Sequence, residues 1–273
     1  MILALFGGLI FVMLESFSAS LAWRIRIAYY SRERKSITKP IVYVLGGRSF
    51  CEACKTPLSV KSLIPVFGRF FTGGKCPHCG FEIPLHYAFF ESIAFVYGFL
   101  LALLNPSPEI FLITCLMYPA LRIIIEIDHR YMLVPTEALA TILIIAFIEM
   151  SGLRYRFAFF ELQPAFALDL AVAFTWYFLL HLLRLLSKEG LGIADIRLTL
   201  ALCFSCGFPG SFFLPTLAAI LGIIVYLVFR NSHLRENPQF MIRNAGRTRI
   251  PFAGFLSLAY LIVRLLPAGQ LGI

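Results

Sequence analysis

The sequence predicts an all-α polytopic membrane protein of about eight transmembrane helices, with a small cytoplasmic zinc-binding domain between helices 1 and 2. Three observations predict it. The chain is too apolar for a water-soluble core, its apolar residues fall into stretches of spanning length, and one polar segment carries two Cys-x-x-Cys pairs. Of 273 residues, 59% are hydrophobic and 14% charged, and mean hydropathy is +0.83. A soluble domain carries roughly 25% charged residues, so lipid is the solvent this composition suits.

A spanning helix needs about 20 mostly apolar residues. Candidates run over 2–23, 86–104, 109–127, 136–151, 165–186, 196–208, 211–229 and 251–267. The fourth and sixth are short and need flanking residues or neighbouring helices to complete a crossing. The sixth is the weakest, which leaves seven spans as the alternative count. The first stretch has no basic segment ahead of it and no A-x-A-like site, so it reads as a retained span. The chain then divides into a first transmembrane helix (1–30), a polar cysteine-bearing domain (31–84) and a larger transmembrane domain holding helices 2–8 (85–273).

Orientation follows from charge. With eight spans and the N-terminus outside, 20 of the 24 Lys and Arg residues fall on one side. That side is cytoplasmic by the positive-inside rule. Arg154 and Arg156 fall outside, and Arg122 and Arg264 lie within spans. The net charge of +9 is explained by these loops and by membrane lipid, with no nucleic-acid partner.

Residues 31–84 hold Cys51, Cys54, Cys76 and Cys79, two pairs with 21 residues between Cys54 and Cys76. Thiolates suit Zn²⁺, and two such knuckles close a tetrahedral site. A segment of some 50 residues has little core of its own, so metal binding supplies much of its folding free energy. Two disulfides are the alternative, and a reducing cytosol argues against them. His78 is a lesser candidate ligand. Gly80, just after Cys79, suits the left-handed turn that knuckles use. Cys203 and Cys206 form another Cys-x-x-Cys inside an apolar stretch, where they and Cys115 read as packing residues.

Asp128 ends the third stretch and Asp195 opens the sixth, within Gly190-Leu-Gly192-Ile-Ala194-Asp195. The predicted topology puts both at the cytoplasmic face. Few acids lie near the spans, and small residues before Asp195 let backbones approach. Two neighbouring carboxylates share one proton and titrate as a unit. That is the state peptide hydrolysis uses, with the ionised Asp activating water and the neutral one polarising the carbonyl. Glu126 and Glu189 are rival acids. Glu126, two residues from Asp128, faces elsewhere on a helix. Glu15 is an acid within a span, which is costly: it either serves function or is an interior-facing acid hydrogen-bonded or paired with Arg.

Taken together, these residues resemble the bacterial type IV prepilin peptidases, bifunctional leader peptidases and N-methyltransferases also used by type II secretion. The likeness rests on residues 15–24 (Glu15, Phe17, Arg24), the cysteine tetrad, Ile64-Pro65-Val66, and Pro84, Tyr87 and Glu91. It continues through Asp128 with Leu133-Val134-Pro135, the segment Gly190 to Leu198, and Arg249 to Phe255. The resemblance implies a GxGD-type intramembrane aspartyl protease of the bacterial inner membrane, with Asp128 and Asp195 catalytic. The expected substrates are prepilins or pseudopilins, cut at the cytoplasmic face after a basic leader. The new N-terminus is then expected to be methylated from S-adenosylmethionine. Departures from the family pattern are Ala194 before the second Asp, Arg197 after it, Thr136 after Pro135, and Glu15 and Ser18 in the first span. A non-catalytic scaffold for pilin assembly is the alternative. A transporter is a third reading, but no paired broken helices appear in matching halves.

Overall fold

The computed structural model describes residues 1–30, 39–46, 49–51, 53–105, 107–154, 164–187, 190–231, 243–244, 247–248 and 251–266. Arg156, Lys188, Glu189 and Arg249 lie outside the described residues. Among the described residues the elements are helical apart from a two-residue antiparallel pair, Arg243–Asn244 with Arg247–Thr248, and two isolated bridges, Phe50 with Pro57 and Lys75 with Glu82. The chain forms two compact units, Met1–Leu103 and Leu104–Ile273.

The first unit holds helix α1 (Ile2–Ile25), which runs on as a π-helical turn through Tyr30, then α2 (Pro40–Gly46), α3 (Phe67–Phe71) and α4 (Leu85–Leu104). Helices α1 and α4 meet through glycines. A methyl on Gly98 would stand 2.5 Å from the Gly7 carbonyl, and one on Gly8 would stand 2.7 Å from Phe95. Small residues let apolar helices approach to backbone contact where lipid offers no hydrophobic drive. Phe11 and Tyr97 then pack edge to face at 5.1 Å. Large side chains such as Leu3, Phe6, Met13 and Phe17 remain exposed, as lipid-facing residues do.

The second unit holds α5 (Pro108–Tyr131), α6 (Thr136–Ile148), α7 (Pro164–Leu186), α8 (Ile193–Cys206), α9 (Gly210–Asn231) and α10 (Phe252–Arg264). Helix α8 is its centre and packs against α6, α7, α9 and α10. Its Ile196, Leu198, Ala201, Leu202 and Cys203 are all fully buried. Among the described residues, five helices are long and apolar enough to cross a membrane, namely Ile2–Tyr30, Leu85–Leu104, Pro108–Tyr131, Pro164–Leu186 and Gly210–Val228. Helices α6, α8 and α10 have 13, 14 and 13 residues. At 1.5 Å per residue α8 and α10 reach about 20 Å, short of a hydrocarbon core of roughly 30 Å, while α6 runs on as a π-helical segment to Arg154. The sixth stretch looked weak in sequence because its helix is sheathed by protein rather than by lipid. All eight stretches are helical, though the third runs farther than expected, so Asp128 sits one turn inside α5.

Candidate active site and cysteine centre

Asp128 is 4% exposed, and its carboxylate is seated on the first turn of α10. The Gly254 N–H donates to Oδ2 at 2.8 Å, and the Ala253 N–H bonds to the same carboxyl. The first N–H groups of a helix have no partner within it, so an acid from another helix satisfies them. Pro251, at the N-cap of α10, starts the helix where Asp128 meets it. Beyond Asp128, the chain closes α5 with Met132 in the left-handed conformation (φ 54°), its N–H bonding to the Asp128 carbonyl at 2.9 Å. Leu133-Val134-Pro135 then leads directly into α6.

Asp195 lies in the first turn of α8, and its Oδ2 accepts from the Gly192 N–H at 3.2 Å. This is the acid half of a capping box. The loop before it is pinned by Arg184, whose Nη1 donates to the Leu191 carbonyl at 2.6 Å. A Cβ at Gly192 would stand 2.9 Å from Asp195 Oδ2, so glycine there leaves room for the carboxylate. Asp195 acts electrostatically on Asp128. The two acids, 67 residues apart in sequence, each have their carboxylate at a helix start, Asp128 on α10 and Asp195 on α8. Ala194 lies in the helical first turn and is not among the positive-φ residues, so its backbone does not require glycine.

Glu126 occupies another face of α5, held by Arg122 at 3.3 Å and Arg130 at 2.6 Å. It is an ion-paired rung, not a third member of the pair. Sequence reasoning missed a buried charge cluster at the far end of α8 and α10. Arg264, 4% exposed, grips both Glu149 oxygens at 2.5 and 2.6 Å, and Arg154 meets Asp169 at 3.2 Å. Ser205 and Tyr260 join at 2.8 Å, and Ser205 also bonds Glu149. The available signal was the set of ionisable residues Glu149, Asp169 and Arg264 inside apolar stretches. Cys203 and Cys206 are buried packing residues beside this cluster.

In the first unit, the Sγ atoms of Cys51, Cys54, Cys76 and Cys79 all lie within 4.8 Å of one another. Cys51 and Cys79 stand 3.8 Å apart, and Cys54 and Cys76 3.9 Å. A tetrahedron with zinc–sulfur bonds of about 2.3 Å has edges of about 3.8 Å, so the set fits zinc. The separations exclude disulfides. The two knuckles repeat one backbone design. The Lys55 N–H bonds the Cys51 carbonyl and the Gly80 N–H the Cys76 carbonyl, each at 2.9 Å. Both turn residues take positive φ, 58° at Lys55 and 70° at Gly80. Hydrogen bonds from Thr56, side chain and backbone, lower the Cys54 thiol, whereas, against a backbone bond from Phe81, desolvation and the other three thiols raise Cys79 in the same cluster. Backbone bonds from His78 and Cys79 lower Cys76 as well. Thiolates are the species that ligate metal. His78 is exposed and is not in the cluster.

Residues 9–104 match the family described as the bacterial peptidase A24 N-terminal domain, and residues 115–227 match the type IV leader peptidase family. The chain is also 23% identical over 237 residues to a prepilin leader peptidase/N-methyltransferase of Aeromonas hydrophila, covering 85% of this chain and 76% of the relative. No solved structure matches.

Proposed function

This chain belongs to the type IV leader peptidase family, and on that premise we propose that it is an aspartyl endopeptidase cutting the basic leader from prepilins or pseudopilins, with Asp128 and Asp195 as its catalytic pair. The observation that carries the reading is the seating of Asp128. It is buried on the α10 N-terminus, fixed by Gly254, and within the field of Asp195. A pair of this kind shares one proton. The ionised member takes a proton from water, whose oxygen attacks the scissile carbonyl as the neutral member polarises it. Collapse breaks the carbon–nitrogen bond, and the departing nitrogen takes a proton from the pair. The roles belong to the pair and not to either residue.

The proposal includes eight spans, with the pair and the zinc knuckles at the cytoplasmic face of a bacterial inner membrane, as the Lys and Arg distribution favours. Zinc is structural, held by Cys51, Cys54, Cys76 and Cys79. The second activity is N-methylation of the new N-terminus from S-adenosylmethionine, which the name of the Aeromonas relative supports. The test is co-expression with a prepilin, read as a shift in its size. Wild type cleaves, and Asp128→Ala or Asp195→Ala lowers the rate by about 10²–10⁴-fold, the usual worth of acid–base groups. Cleavage at the wild-type rate by either variant sinks the pair. No cleavage by wild type favours the scaffold reading.

A further inference from the structure

Helix α3 carries an aromatic face that the rest of the first unit leaves bare. Its five residues divide by helical spacing into two sides. Gly68 and Arg69 face the unit. Gly68 is buried, and a methyl there would stand 2.5 Å from the Ser62 carbonyl oxygen. Arg69 donates to the Ile83 carbonyl, and the Gly74 N–H returns to the Arg69 carbonyl at 2.8 Å. Phe67, Phe70 and Phe71, at positions i, i+3 and i+4, form the other side and are 59%, 75% and 64% exposed. Leu63 and Ile64, just ahead of the helix, are exposed as well. Proteins in water seldom leave so many large apolar side chains together on their surface.

Two bonds fix where this face lies along α4. The N–H of Val66, at the N-cap of α3, donates to Glu91 Oε2 at 2.6 Å, and Arg69 ties the helix to Ile83. Helix α3 is therefore pinned between the levels of Ile83 and Glu91, beside the first turns of α4, which starts at Leu85. The turn that delivers the Val66 N–H holds that residue at φ 62° and ψ −53°, strained for a β-branched side chain. Strain of this kind persists where the surroundings over-determine it. The levels of Ile83 and Glu91 bracket a membrane boundary. At 1.5 Å per residue the 20 residues of α4 span about 30 Å, the thickness of a hydrocarbon core, so its Leu85 end stands at the edge of lipid. Glu91, six residues farther along, is about 9 Å inside that edge. The exposed apolar stripe of α4 begins at the same level, with Leu85 and Phe89, and continues through Ile93 and Val96.

We propose that α3 is an interfacial anchor: Phe67, Phe70 and Phe71 insert into the acyl–headgroup boundary of the membrane that α4 crosses, and so hold the cysteine knuckles against the lipid surface. An interfacial helix buries its apolar face about 5–10 Å into that boundary, the depth at which the Glu91 bond holds the start of α3. Exposed Lys61 and Lys75 flank the apolar run in sequence. Lysines so placed lay their stems along lipid and keep their ammonium groups among phosphates. Lys75 also meets Glu82, at 3.6 Å. The anchor and the knuckles move as one body. Helix α3 lies between the two knuckles in sequence, and the Ile83 N–H bonds the Gly74 carbonyl at 2.8 Å, two residues before Cys76. The apolar segment of a protein partner is the other occupant that a bare aromatic face suits. Lipid is favoured because the ties to α4 keep the face at membrane depth at all times, with or without a partner. The inference concerns how the first unit is attached and stands whether or not the aspartate pair is catalytic.

The test is tryptophan fluorescence of the full zinc-loaded chain in lipid nanodiscs, where both membrane faces meet water. Trp176→Phe removes one native indole and leaves Trp23 as a constant background. Phe70→Trp, Phe71→Trp and Val96→Trp are each added to it, the last as a reference within α4. All three replace exposed side chains, so zinc content and unfolding are expected to hold in each. Phospholipid brominated near the top of its acyl chains quenches the added indoles of Phe70→Trp and Phe71→Trp by about half or more, and iodide in the water quenches them at least about fivefold less than a free indole, as befits an apolar face set into the boundary. Iodide quenching as strong as that of a free indole overturns the anchor. So does protection from iodide without quenching by the brominated lipid, which shows that protein covers the face. Protection that appears only when a prepilin is added assigns the face to the substrate and also overturns it. Lipid quenching of Val96→Trp alone removes the anchor and leaves α4 in the membrane, so the failure of this inference is distinct from failure of the membrane placement.

Discussion

At the scale of single residues, two neighbours in one loop meet opposite constraints. Gly192 has an ordinary φ of −72°, so alanine there costs nothing in backbone, yet its Cβ would stand 2.9 Å from Asp195 Oδ2. The carboxylate is the group that yields. Gly192→Ala is therefore expected to cost about 0.5–1 kcal/mol through the disturbed cap while lowering cleavage by about tenfold or more, since small misplacements of reacting groups are expensive. Ala194 sits in the first helical turn, where Ala is favourable. Ala194→Gly is expected to cost about 0.5–1 kcal/mol in stability and to leave cleavage unchanged. The pair of variants, scored by unfolding and by prepilin cleavage, separates room for the carboxylate from freedom of the backbone. Asp128 and Asp195 were legible as candidates because acids are rare near apolar stretches. What seats Asp128 was not. The residues Pro251 to Gly254 lie far away in sequence, and bare backbone N–H groups leave no mark in side-chain identity.

At the scale of elements, the long helices were legible because lipid demands length and apolarity together, and Ile2–Tyr30, Leu85–Leu104 and Pro108–Tyr131 meet both. Helices α8 and α10 were harder because protein takes the place of lipid around them and relaxes both demands. The far end of α8 is held by charge. Ser205 lies ten residues beyond Asp195, about 15 Å along the helix, amid Glu149, Arg154, Asp169 and Arg264. Gly207, at φ 65°, packs so tightly on the Arg154 guanidinium that no side chain fits. Removing one partner strands a buried charge. Arg264→Met is expected to cost about 3–5 kcal/mol, whereas Arg264→Met with Glu149→Leu recovers most of the loss because the Arg154–Asp169 pair stays balanced. Thermal unfolding in detergent reads both. A double variant no better than the single one shows that Glu149 is needed for more than pairing Arg264.

At the scale of the whole molecule, the two compact units divide the chemistry. The aspartates and the charge cluster lie in the second, and the cysteine tetrad lies in the first. Their dependence on metal should divide likewise. Among the described residues of 49–84 only Cys51, Gly68, Gly74 and Cys76 are buried, so a metal on the tetrad would be the main source of cohesion there. The second unit has an apolar core around α8 that owes nothing to metal. Cys51→Ser with Cys76→Ser, or exhaustive chelation of the wild type, is expected to bring zinc to zero and to open residues 49–84 to proteolysis. The unfolding transition of the second unit stays in place. Protection of residues 49–84 in a zinc-free protein contradicts a structural metal. A matching loss of the second unit's transition shows instead that the two units fold as one.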